Sequence, residues 1–130
     1  KDYEDGALFS IKEIVNAEIF SDFLEMAEYL LNEGYKDPAA VITGGVLEQT
    51  LRKLCEKHNI PTDDNNQHKT ADRINSDLYA KEAYSKLDLK QITAWLDLRN
   101  KAAHGKYNEY NKEQVESMLK GVKEFVHRFQ

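Results

Sequence analysis

The sequence predicts an all-α bundle of four to five helices. Three observations carry that expectation. Apolar residues recur at three-to-four spacing over most of the 130 residues. Capping signals precede those stripes, and glycines follow them. Alternating runs of β-branched or aromatic residues are nearly missing.

Residues 1–9, opening on the charged and aperiodic KDYED, read as a linker or flexible N-terminus, and 10–130 as the helical domain. A start at Lys1 suggests a piece cut from a longer protein that would bring other domains. Ser10 with Glu13 forms a capping-box pattern. From there Ile11, Ile14, Val15, Ile19, Phe23, Ala27, Leu30 and Leu31 mark one face until Gly34, with Ser21 as a candidate break. Asp37 then Pro38 reads as a cap followed by a proline at the first helical position. This second helix runs to about His58 on Leu47, Leu51 and Leu54. Its Gly44 and Gly45 each cost about 1 kcal/mol relative to alanine, so close approach of another helix is expected there.

The polar segment 61–69 is a loop by composition, and a short helix over about 70–80 turns Ile74 and Leu78 inward. Ser85 with Asp88 opens a helix that Gly105 ends, and Asn111 with Gln114 opens the last one, amphipathic through Phe129.

Composition excludes several classes. With one cysteine, Cys55, there is no internal disulfide, and the cytoplasm is the expected compartment. No apolar run approaches the ~18 residues of a membrane helix. The lone Cys55-x-x-His58 lacks the further ligands of a zinc site, and no glycine loop carries the lysine of a phosphate-binding motif. Neither a metal nor a cofactor is called for. The net charge of −5 disfavours a polyanionic partner until it is divided along the chain. Residues 1–85 hold nine basic against seventeen acidic residues, or −8, whereas 86–130 hold nine against six, or +3.

The basic part contains RNKAAHG, residues 99–105. On the helix before Gly105, positions 89, 92, 96, 99 and 103 form one inward seam reading Leu, Ile, Leu, Arg, Ala. Arg99 therefore interrupts an apolar stripe, where a guanidinium must be paired, must reach out to water, or must hold an anion. Asn100 and His104, four apart, share the neighbouring face. A structural account exists: cations suit a helix C-terminus, and Arg99 can pair with Glu48, which can also pair with Arg52 one turn on.

The functional account is RNA cleavage by internal attack of a 2′-hydroxyl. It needs a base, an acid for the leaving 5′-oxygen, and positive charge at the phosphate. Histidine can take either proton role near neutral pH, arginine offers a fork of donors to phosphate, and asparagine can orient one of them. Arg99, Asn100 and His104 are thus the candidate catalytic residues. One histidine cannot readily be both acid and base, so a symmetric dimer joining two motif-bearing faces would complete the set. Lys101, Lys106 and Tyr107 are the candidate substrate-binding residues, the lysines for phosphates and the tyrosine for stacking, against the alternative of a solvated linker.

The segment LDLRNKAAHGKYNEY, preceded by GGVLEQTLRKLCEKHNI, resembles the HEPN superfamily, whose hallmark is Arg, four to six residues, then His, often with Asn after the Arg. The resemblance covers about residues 20–130 and implies a dimer with motifs facing across a cleft. Many members are metal-independent endoribonucleases of toxin–antitoxin, abortive-infection and antiviral systems that leave 2′,3′-cyclic phosphates. Others bind nucleotides or serve as interaction modules of larger proteins. The two-gene toxin branch commonly carries a tyrosine two residues after the histidine, whereas Lys106 stands there in this chain and Tyr107 follows.

Overall fold

In the computed structural model, the backbone is described for residues 2–129 and the side chains for residues 17–129. α1 spans Asp2–Asn32, without a break at Ser21, and passes through Ser10, where the sequence predicts a start. The Ser10–Glu13 box, and the stripe residues Ile11, Ile14 and Val15, lie outside the described side chains. Further along, the inward face consists of Leu24, Ala27 and Leu31, while Ile19 and Phe23, expected inside, are exposed.

α2, Lys36–Lys57, is central and touches the four other α-helices. Leu47 and Leu51 are fully buried within it, each worth roughly 1.5–3 kcal/mol of apolar burial. It begins two residues earlier than expected: Tyr35 occupies the cap position without a side-chain bond, and Asp37 lies inside the first turn. The reason is tertiary. The Asp37 carboxylate is taken by the Tyr110 hydroxyl and by Lys36 Nζ, 2.9 Å away, so it cannot cap. Pro38 remains in the first turn, where a missing N–H is harmless.

The 61–69 loop holds a two-stranded ribbon that composition did not reveal, β1 Asp63–Asp64 against β2 Gln67–His68. Asn65 and Asn66 turn it with φ of 52° and 64°, the two positive values that a tight hairpin needs and asparagine tolerates. α3, Ala71–Ala80, follows the Thr70 cap and buries Ile74 and Leu78 as expected. α4, Lys86–Ala103, and α5, Lys112–Arg128, each open on the expected capping box, Ser85–Asp88 and Asn111–Gln114. Asn75, buried in α3, donates to the Leu89 carbonyl and to Thr93 Oγ1 of α4, and accepts from the Tyr84 hydroxyl. That network satisfies the one buried amide between these helices. A single 3₁₀ turn, Tyr107–Glu109, links α4 to α5.

The glycine pair of α2 divides in role. A Cβ on Gly44 would lie 1.9 Å from Arg99 Cγ, so α4 does approach there. A Cβ on Gly45 would meet nothing within 4 Å. Gly45→Ala is therefore expected to stabilise the domain by about 0.5–1 kcal/mol, by removing backbone freedom from the unfolded chain. A urea titration checks it, and a lower midpoint than wild type would refute the open space at this position.

Candidate nucleic-acid site at the end of α4

α4 ends in a Schellman motif built on the sequence that ends RNKAAHG. His104 is the C-cap, Gly105 takes φ of +75°, and Lys106 N–H closes onto the Lys101 carbonyl at 2.8 Å. Glycine is needed at 105 because an L side chain would be strained there. The cap turns His104 out to solvent, and its imidazole makes no hydrogen bond or ion pair with any described residue.

Arg99 lies on the opposite flank. Its stem crosses α2 at Gly44, its Nη1 donates to Glu48 Oε1 at 2.9 Å, and its Nε donates to Asn100 Oδ1 at 3.1 Å. Glu48 is shared: Arg52 reaches its Oε2 through Nε at 3.2 Å and Nη2 at 2.8 Å. Arg52 Nη2 also donates to the Lys69 carbonyl at 3.0 Å, while its buried Nη1 has no partner. The two structural pairings open to Glu48 thus occur together. Partial burial works to raise the Glu48 carboxyl, but hydrogen bonds and charge from both arginines outweigh it and hold the group below its ordinary 4.5.

These residues line a cavity of about 350 Å³ between α2, α4 and the start of α3. Of the five N–H groups of a guanidinium, Arg99 uses two in these bonds and keeps three for another acceptor. His104 does not line the cavity. Five residues at 100° each place it about 140° around the helix from Arg99, on the face of Asn100.

The seam is corrected at its end. Ile92 and Leu96 are buried and Leu89 partly so, but Ala103 is exposed and Ala102 is buried in its place. A straight helix drifts against a seven-residue repeat, and the 3₁₀ turn folds back on this end of α4.

The candidate substrate residues differ in freedom. Lys101 pairs with Asp97 at 3.2 Å. Lys106 is exposed, and Tyr107 is 48% exposed. The Tyr107 carbonyl accepts from Lys36 Nζ at 2.7 Å, and the same ammonium lies 4.0 Å from the Tyr110 ring centroid. The segment after the motif is thereby fastened to the start of α2, a tie that no spacing in the sequence signals. Trp95 is half-buried over Gly121. Cys55 is buried, which pushes its thiol up. Among the described residues, no group of three or more His, Cys, Asp or Glu is placed to hold a metal.

Three carboxylates are held below their ordinary values. Burial raises Asp37 and Asp88, but their hydrogen bonds to Tyr110 and Lys36, and to Arg128 and Ser85, win and hold both below the ordinary 3.8. Glu48 behaves likewise. A depressed carboxylate stabilises fully above its unfolded value and less as pH falls through its folded one. Stability is therefore expected to be flat above about pH 5.5 and to decline below about pH 4.5. Urea midpoints from pH 7 to pH 3 check this, and Glu48→Gln should show a shallower decline. An equal slope in that variant would contradict the role given to Glu48.

The all-α bundle, with Arg99 and Asn100 in the last turns of α4 and His104 at its cap, agrees with the architecture of a HEPN-type domain. The chain matches the family model described as RiboL-PSP-HEPN over residues 7–130, and it belongs to that family. Neither a curated protein nor a solved structure matches it significantly. No helix among the described residues is long and apolar enough to cross a membrane.

Proposed function

We propose that this domain is a metal-independent endoribonuclease of a toxin or antiviral defence system, acting in the cytoplasm as a homodimer through its motif-bearing faces. The observation that carries the reading is the division of labour at the end of α4. Arg99 is held in place with donors to spare, and His104 stands free in solvent one turn from Asn100.

In the proposed reaction a base removes the proton of a ribose 2′-hydroxyl, whose oxygen attacks the adjacent phosphorus. The P–O5′ bond breaks, the 5′-oxygen takes a proton, and the products are a 2′,3′-cyclic phosphate and a 5′-hydroxyl. Arg99 stabilises the pentacoordinate phosphorane through its unspent N–H groups, and Asn100 positions Arg99 by accepting from Nε. His104 of one copy serves as base and that of the other as acid. Lys101, Lys106 and Tyr107 lie along the exit of the helix, where phosphates and a base would pass.

Purified protein and a mixed RNA in excess chelator provide the test. Cyclic-phosphate and 5′-hydroxyl ends support the reading, and wild type cutting no faster than His104→Ala overturns it. Glu48 favours a second reading, a non-catalytic nucleotide- or RNA-binding and dimerisation module of a larger protein, because its carboxylate already occupies Arg99. Such a module would bind RNA, more weakly as Arg99→Ala, without turnover.

A further inference from the structure

A second concavity flanks the same helix. Between α4 and α5 lies a groove of about 310 Å³ lined by Trp95, Leu98, Tyr110 and Met118. We infer that this groove is a nucleobase subsite that prefers a purine, guanine foremost. The inference rests on RNA being the ligand of the neighbouring motif.

Its walls are fixed before anything binds. Trp95 lies so close over Gly121 that a Cβ there would come 2.2 Å from Cζ2, and Tyr110 is pinned by Asp37 and Lys36. A preset groove that offers the partly exposed Trp95 ring suits a flat heteroaromatic ring, because little ordering is required on binding. Its polar lining includes Glu109, Gln114 and Asp97, the last paired with Lys101. Carboxylates repel a phosphate but accept from base N–H groups. Guanine presents two such donors side by side, N1–H and the 2-amino group, matched to one carboxylate, whereas uracil presents one.

Position links the groove to the motif. Lys101 lines it, and His104 lies three residues further along, about 5–6 Å away between Cβ atoms. A base in the groove therefore leaves its own ribose and phosphate at the end of α4, beside His104 and Lys106.

The chain carries a single tryptophan, Trp95, so its fluorescence reports on the groove directly. Titration of wild-type protein with GMP, AMP, CMP and UMP is expected to quench it saturably, with GMP binding at least tenfold tighter than UMP. Ser117→Phe, which fills the groove from an exposed position, should abolish the quenching with the melting curve preserved. Glu109→Gln, which keeps the shape, should erase the preference for GMP while leaving AMP unchanged. Equal quenching by all four nucleotides, or quenching that survives Ser117→Phe, overturns the subsite. Should RNA be cut while Trp95 stays silent, the subsite falls and the nuclease reading stands. Selective quenching without cleavage gives the reverse.

Discussion

His104→Ala is expected to lower the rate of RNA cleavage by about 10²–10⁴-fold, the usual contribution of a positioned proton-transfer group. The same change should leave thermal stability nearly untouched. His104 is exposed and its side chain makes no hydrogen bond or ion pair with any described residue, and surface replacements of that kind usually stay within about 0.5 kcal/mol. Arg99→Ala differs in kind. It removes the phosphate fork, but it also deprives Glu48 of one of its two cations and uncovers the α2–α4 contact at Gly44. Both activity and stability should fall. Arg99→Lys should restore part of the stability and little of the activity, because an ammonium lacks the planar fork. Single-turnover cleavage and melting curves on the three variants separate these effects. Loss of activity in His104→Ala that merely tracks loss of fold would defeat the proton-transfer role.

Gly44→Ala is expected to destabilise by about 1–3 kcal/mol, as overpacking of a tight contact does, and to lower Tm by several degrees. The atoms in the way are Arg99 Cγ and Cβ, near the α4 backbone, rather than the mobile guanidinium. Relief therefore requires moving α4 off α2 or swinging Arg99 away from Glu48, and either displaces the candidate catalytic arginine. Activity should fall with stability. Gly45→Ala, one residue on, is the opposite case. A Gly44→Ala protein that melts at or above the wild-type temperature would show that the helices do not approach as described.

Much of the architecture was legible because its signals are local. Ser85–Asp88, Asn111–Gln114 and Gly105 act within a turn of their own helix, so they can be recognised without knowing what packs nearby. Where neighbours intervene, legibility ends. Asp37 has the chemistry of a cap, yet Tyr110, 73 residues away, claims its carboxylate. Ile19 and Phe23 fit a helical stripe, but α1 meets α2 and α5 along Leu24, Ala27 and Leu31 instead. Periodicity reports that an apolar face exists and not which part of it a partner covers. The Asn65–Asn66 turn was readable in principle, since two asparagines in a row tolerate the positive φ of a hairpin, but its flanking strands are polar and two residues long.

At the site the same division holds. By itself the sequence determined the helix class, the end of α4 at Gly105, the common face of Asn100 and His104, and the anomaly of an arginine on an inward seam. Each follows from helix geometry and backbone sterics, which depend only on nearby residues. Only the tertiary structure decided what that arginine does with its charge. Glu48 is 51 positions away, and its position between Arg52 and Arg99 depends on α2 and α4 approaching over Gly44. Side chains so far apart along the chain meet only through the packing of whole helices, which the spacing within either helix does not encode.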